Sequence, residues 1–178
     1  FLCENGIYHH QYVECVEFDK RGQPLPYTIT GEEWGNFLCE VYEEWIKSDI
    51  YRVSVRIFDA VLTQMVENRY TMCTMGPDCG QYFVVEFNGD IYPCDFFVRE
   101  DLKIGNIAED SWQDILESPV YTHFAAQKSR WNRQCETCKY RSFCLGDCQK
   151  NRDHSLKNPG QISWLCKGCK IFYQHALP

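Results

Sequence analysis

The chain has 178 residues, 44% hydrophobic and 15% aromatic, enough for one or two small domains with a sizeable core. Its formal net charge is −7 and it carries no Lys/Arg run, so nucleic acid is a poor partner. No apolar stretch approaches the roughly 20 residues of a membrane span, and no signal peptide is visible. Phe1 is not a start methionine, so a piece upstream is expected to have been removed.

Residues 11–18 (QYVECVEF) suit a strand, and 20–24 break it. Thr30 and Glu33 read as a capping box. Behind them Trp34, Phe37, Leu38, Val41, Trp45 and Ile46 recur at three- and four-residue steps, which predicts a helix over 31–47 with a wide apolar face. Residues 52–58 read as a second strand and 59–69 as a second helix. Strand, helix, strand, helix with short loops implies parallel strands with helical crossovers. Two strands cannot close a barrel, so 1–70 is expected to be the tail of a larger α/β domain, a small complete domain being the alternative.

Residues 82–87, Asn88-Gly89 and 90–92 predict a hairpin with a type I′ turn. It brings Cys79, before the first strand, towards Cys94, after the second. Residues 101–106 form a polar connection. Asp110 or Ser111 can cap a short helix through Glu117, and Ser118-Pro119 opens another that runs to about Lys128. From Trp131 onward periodicity is lost and cysteines follow at steps of three, six and four, as in metal-organised loops. The aromatic stretch 162–175 is expected to end the chain as a short helix. The fold class is α/β followed by α+β.

Eight of the 12 cysteines, Cys73, Cys79, Cys94, Cys135, Cys138, Cys144, Cys148 and Cys166, lie between residues 73 and 166. Disulfides, zinc and iron–sulfur clusters are the three chemistries that explain such grouping. Cysteine is about 7% of the chain, below the ~8–10% of a disulfide scaffold, and the core needs no staples, so disulfides are the least favoured. Cys135-x2-Cys138-x5-Cys144-x3-Cys148 would by itself satisfy a four-thiolate zinc. The other four could form a second zinc site. Cys15 and Cys39, within apolar elements, read as core residues. His9, His10, His123, His154 and His175 match no ligand pattern and are assigned surface or packing roles, and Cys3 has no assignment.

The full spacing, Cys79-x9-Gly89-x4-Cys94, a long gap, Cys135, Cys138, Cys144, Cys148, x17, Cys166, with Cys73 ahead of it, resembles the SPASM domain found at the C-terminus of radical S-adenosylmethionine enzymes that modify peptides. Cys79-Gly80, 86–90 (EFNGD), 92–95 (YPCD), Phe97-Val98, 105–107 (GNI) and 144–148 (CLGDC) narrow the resemblance to the anaerobic sulfatase-maturating enzymes. Residues 11–19, 35–38 with Trp45, and 56–59 are similar to the last part of that family's partial TIM-like (β/α) barrel. The resemblance covers nearly the whole chain and implies barrel end over 1–70 and a SPASM domain with a β-hairpin and short helices over 71–178.

By that resemblance Cys73, Cys79, Cys94 and Cys148 hold one auxiliary [4Fe–4S] cluster, and Cys135, Cys138, Cys144 and Cys166 hold a second. Spacing alone would instead place Cys148 with its three neighbours. Both clusters would be fully ligated by protein, which leaves electron transfer or structure as their work. Asp95 matches the family's general base, which takes the proton of the target thiol or hydroxyl. From the residue alone it reads as a carboxylate capping a loop. Cys169 stands where the family usually lacks a cysteine; it is inert or competes with Cys166.

The radical-generating C-x3-C-x2-C motif is absent: Cys144-x3-Cys148 begins it, but Asn151 stands where the third cysteine should. This chain alone is therefore expected to be inactive, with S-adenosylmethionine and a third [4Fe–4S] cluster held upstream. The implied activity of the whole enzyme is oxidation of a cysteine or serine of a sulfatase precursor to Cα-formylglycine. A reducing donor of flavodoxin or ferredoxin type and a cytoplasmic location complete the expectation. The alternatives are a SPASM enzyme acting on another peptide, for instance by thioether formation, and a zinc-bound module without enzymatic activity. Zinc is also a possible adventitious substitute for the clusters.

Overall fold

The computed structural model describes residues 1–152 and 160–178. In chain order the elements are β1 (His9–His10), α1 (Gly31–Ser48), β2 (Ser54–Val55), α2 (Arg56–Glu67), β3 (Val84–Val85), β4 (Asp90–Tyr92), β5 (Gly105–Asn106), α3 (Trp112–Leu116), α4 (Pro119–Gln127), α5 (Arg133–Glu136), α6 (Arg141–Cys144), α7 (Gln149–Arg152) and α8 (Cys166–Ala176).

Helix α1 begins where the capping box places it. The Thr30 hydroxyl accepts from the Glu33 N–H at 3.2 Å, and Glu33 Oε2 accepts from the Thr30 N–H at 2.7 Å. Trp34, Leu38 and Trp45 are buried, while Phe37 and Ile46 remain 37% and 45% exposed, so the apolar stripe is narrower than its spacing suggests. Phe37 instead stacks on Trp34 and meets Tyr12 edge-on. The buried Trp45 indole donates to the Val53 carbonyl at 2.6 Å, tying α1 to the chain entering β2.

β1 and β2 pair in parallel, His9 opposite Ser54 and His10 opposite Val55, with α1 as the crossover. The strands are shorter than expected. Residues 11–18 join no ladder beyond a single bridge from Phe18 to Pro24; the Thr28 side chain bonds the Glu17 backbone there instead. Helix α2 starts at Arg56, within the stretch expected to be strand. Its amphipathic stripe, with Phe58 and Val61 buried, outweighs the β-branched run before it. Cys39 packs against the core as expected. Cys15 is exposed, because its neighbour Val16 takes the inward position.

One apolar cluster joins the ends of the chain. Trp34, Leu38, Trp45 and Phe58 pack with Leu165, Phe172 and Tyr173. α8 lies against α1 at glycines: a Cβ on Gly168 would fall 1.9 Å from the Gly31 carbonyl oxygen, and one on Gly35 would fall 2.7 Å from Gly168 Cα. The two backbones touch, which brings Cys166 and Cys169 of α8 over the first half of the chain.

The second half has a three-stranded antiparallel sheet in the order β3-β4-β5. Val84 faces Tyr92, Val85 faces Ile91, and Ile91 faces Gly105. The hairpin is present, but its turn is not type I′. Gly89 takes positive φ (87°) and Asn88 does not, so 87–89 is a three-residue loop closed by Glu86 N–H to Asp90 O and Gly89 N–H to Glu86 O, both 2.8 Å. β5 was not expected. It forms where the connection 101–106 returns to β4, and Asn106 and Lys103 both reach Asp90. Ser111, not Asp110, caps α3; Asp110 accepts from the Asn106 N–H at 2.7 Å. Helix α4 follows Ser118-Pro119 as predicted, although Ser118 makes no side-chain cap bond.

Candidate metal centre

The elements of the second half deliver sulfurs to two places. Cys73 sits in the turn 72–76, closed by Gly76 N–H to Met72 O at 3.0 Å. Cys79 is pinned by its N–H to the Ala125 carbonyl at the end of α4 (3.3 Å). Cys94 follows β4 and precedes a single 3-10 turn, Asp95–Phe97. Cys148 immediately precedes α7. The thiol of Cys79 is an electrostatic neighbour of Cys73, Cys94 and Cys148, and Cys148 is also a neighbour of Cys94.

Cys135 lies in α5, Cys138 one turn beyond, Cys144 at the end of α6 and Cys166 at the start of α8. These four line one cavity, together with Tyr140, Gly146 and Cys169. Cys166 feels Cys144, Cys135 and Cys138, and Cys135 feels Cys144 and Cys138. The left-handed residues Leu145 (φ 42°), Gly146 (81°) and Asp147 (65°) turn the chain sharply between Cys144 and Cys148. Although four residues apart, those two sulfurs face different groups.

Burial dominates the thiol chemistry. It pushes Cys94 up to about 12, with the Asp95 carboxylate adding to the rise. It pushes Cys166 up to about 11 against the partial relief of Lys170. Cys148, Cys73 and Cys135 are raised for the same reason. Cys144 is the exception: a hydrogen bond from the Cys169 thiol holds it low, and that same bond raises Cys169. Buried thiols with raised pKa values stay protonated unless a cationic centre compensates the thiolate, which is what metal coordination does.

Among the described residues no three His, Cys, Asp or Glu side chains converge closely enough to share a single metal ion. A four-iron cube takes one thiolate per iron, so its donors surround a volume instead of meeting at a point. Two unsatisfied groups stand beside these sulfurs. The Tyr140 hydroxyl lines the second cavity without a partner, and buried Arg152 has two N–H groups, Nε and Nη1, with no acceptor. Four-thiolate sets with idle donors around them fit a sulfide-rich centre.

Asp95 is exposed, and its carboxylate accepts from the Cys94 thiol at 3.2 Å. A Cys94 thiolate has no proton to give, so ligation would free Asp95 for other partners. Several buried polar residues here carried no sequence signal. Lys128 ends α4 fully buried, its Nζ donating to the carbonyls of Cys73 (2.7 Å) and Thr74 (2.9 Å). Asp147 accepts from Ser163 (2.6 Å) and Asn151 (3.1 Å), and Asn151 also donates to Glu14 at 2.8 Å. A charged residue at a helix end ordinarily points to water, so only tertiary packing identifies Lys128 as internal. His175 pairs with Glu43 at 2.6 Å and His10 bonds the Ile7 carbonyl at 2.9 Å; His154 lies outside the described residues.

Residues 67–139 match the SPASM family, an iron–sulfur cluster-binding domain. The chain is 36% identical over 162 residues to a serine-type anaerobic sulfatase-maturating enzyme of Bacteroides thetaiotaomicron, covering 89% of this chain and 39% of that protein. It is 27% identical over 172 residues to a cysteine-type anaerobic sulfatase-maturating enzyme of Clostridium perfringens, covering 94% of this chain and 46% of that protein. Among solved structures it superimposes on native anSMEcpe with bound AdoMet and Kp18Cys peptide with a TM-score of 0.91, at 26% identity, over 99% of this chain and 50% of the other. The chain thus resembles the anaerobic sulfatase-maturating enzymes along almost its whole length while spanning half or less of the length of each of these relatives. No helix among the described residues is long and apolar enough to cross a membrane.

Proposed function

We propose that this chain is the auxiliary-cluster portion of an anaerobic sulfatase-maturating enzyme, with residues 1–70 ending a partial (β/α) barrel and 71–178 forming the cluster domain. The parent activity is oxidation of a cysteine or serine in a sulfatase precursor to Cα-formylglycine. S-adenosylmethionine and its own cluster are held by a part of the enzyme outside these residues, a flavodoxin- or ferredoxin-type protein supplies electrons, and the reaction is cytoplasmic. The observation that supports the reading is that Cys79 neighbours Cys73, Cys94 and Cys148 while Cys135, Cys138, Cys144 and Cys166 line one cavity, in a chain that is similar to these enzymes over almost its full length.

Cys73, Cys79, Cys94 and Cys148 would hold the first [4Fe–4S] centre and Cys135, Cys138, Cys144 and Cys166 the second. When bound, such clusters supply one-electron transfer. The chain's own residues do the rest. The turn 72–76, the hairpin and α4 hold the first set, and the α1–α8 contact holds Cys166 over the second. Asp95 accepts the proton of the substrate thiol or hydroxyl, its carboxylate being exposed and directly joined to a ligand.

The test is metal and sulfide analysis after anaerobic reconstitution. About eight irons and eight sulfides per chain are expected for two cubanes. Stoichiometric zinc, without sulfide or visible charge-transfer absorption, would exclude the clusters. For Asp95, an Asp95→Asn variant of the whole enzyme should lose most turnover of a sulfatase peptide while retaining iron; undiminished turnover removes the base assignment.

A further inference from the structure

The fully buried side chain of Arg152 at the end of α7 has a role that the ligand sets leave unassigned. Its Nη2 donates to the Lys128 carbonyl at 2.9 Å, whereas Nε and Nη1 have no acceptor. A buried guanidinium with idle donors is costly unless something anionic accepts from it. The idle side is not aimed at random. A Cβ on Gly146, which lines the cavity of the second sulfur group, would lie 3.3 Å from Nη1. The guanidinium is an electrostatic neighbour of Cys148 and Cys79 in the first group and of Cys135 in the second.

Lys128 reinforces the pattern. It is anchored to the backbone of Cys73, and its charge also bears on Cys79 and Cys148. Among the described residues Asp147 is the buried carboxylate near both cations, and its Oδ2 already accepts from Ser163 and Asn151. Two buried cations facing one occupied carboxylate leave positive charge directed at the sulfurs.

We propose that Arg152 is a shared positioning residue between two iron–sulfur centres, donating Nε–H and Nη1–H to their sulfur atoms and raising both reduction potentials together. This rests on the two-cluster reading above. The physical basis is that reduction adds negative charge to a cluster, which a nearby cation and hydrogen bonds to sulfur stabilise. One guanidinium facing both groups makes the two potentials move as a pair.

The test is electron-paramagnetic-resonance-monitored redox titration of the anaerobically reconstituted protein, as wild type, Arg152→Lys and Arg152→Gln. Arg152→Gln is expected to shift both potentials to more negative values, and Arg152→Lys, which keeps the charge but loses the planar fork, to shift both by less. Loaded Arg152→Gln protein with either potential unchanged overturns the proposal. Should these variants lose iron, the unsubstituted residue can be read directly. Pulsed resonance on reduced protein labelled with 15N-arginine, in an Arg141→Lys background because Arg141 also lines the second cavity, should show nitrogen coupling at both centres. Coupling at one centre or neither overturns the proposal. Fewer than two centres in wild-type protein overturns the ligand assignment itself, and the role of Arg152 with it.

Discussion

The α1–α8 body and the cysteine-rich half are built by opposite means. In the first, long helices meet at glycines and bury aromatic rings: Trp45 against Phe58, Phe58 against Phe172, and Phe172 against Tyr173, at 5.2–5.6 Å between centroids. In the second, α5, α6 and α7 have four residues each, too short to be stable alone. What lies inside is not only hydrocarbon but Lys128, Arg152, Asp147, Asn151 and a set of thiols. One body pays for its order with apolar burial, the other needs a partner for its buried charges and sulfurs.

The sharpest way to break the first body is at the helix crossing. Gly168→Ala would normally favour a helix by about 1 kcal/mol, but here the added methyl falls on the Gly31 carbonyl. We expect destabilisation of ~3 kcal/mol or more, read as a lowered denaturation midpoint. A Gly168→Ala protein as stable as wild type would show that the two backbones do not touch. The second body should fail differently. Removing metal with a chelator under anaerobic conditions should open the 130–152 region to protease while leaving α1 and α8 protected, because buried protonated thiols do not replace a cluster's bonds. Uniform loss of protection across the chain would erase the distinction.

Smaller changes sharpen it. Trp45→Phe removes the donor to the buried Val53 carbonyl and should cost about 1–3 kcal/mol in unfolding. Thr30→Ala removes one arm of the capping box and should cost about 1 kcal/mol. The smallest effect is a pH slope where the two bodies meet. Glu14 reaches Asn151, and burial together with the Asp147 charge raises its carboxyl above the usual range. Its folded pKa exceeds its unfolded one, so the stability it contributes is complete below the ordinary carboxylate value of about 4.5. That contribution is lost as pH rises through the raised pKa. Glu14→Gln keeps an acceptor for Asn151 and should flatten that slope, leaving the protein slightly more stable at neutral pH. An unchanged slope would place the titration elsewhere.

Several elements were legible because their signals are local. The capping box, the stripe of α1, Ser118-Pro119 and the hairpin at Asn88-Gly89 each depend on residues within a few positions. Elsewhere packing overrides local preference. Residues 11–18 have strand composition, yet Thr28 satisfies part of their backbone and no ladder forms. Cys15 looked internal, but Val16 fills that place. β5 carries no local strand signal because residues 101–106 are polar, and Asn106 and Lys103 close on Asp90 where it pairs with β4.

For the site, spacing marked Cys135, Cys138, Cys144 and Cys148 as a metal-organised pattern, while the set of eight and its partition came from the family resemblance, because separation along the chain says nothing about where a turn aims a side chain. The sequence also shows no Lys/Arg run and no apolar stretch of spanning length. Where the side chains sit depends on tertiary packing. The left-handed turn at Leu145, Gly146 and Asp147 sends Cys144 and Cys148 to different groups. The glycine contact carries Cys166 back across the molecule, and the burial of Lys128 and Arg152 turns two ordinary basic residues into internal cations. These depend on residues tens of positions apart meeting in space, which no local pattern encodes.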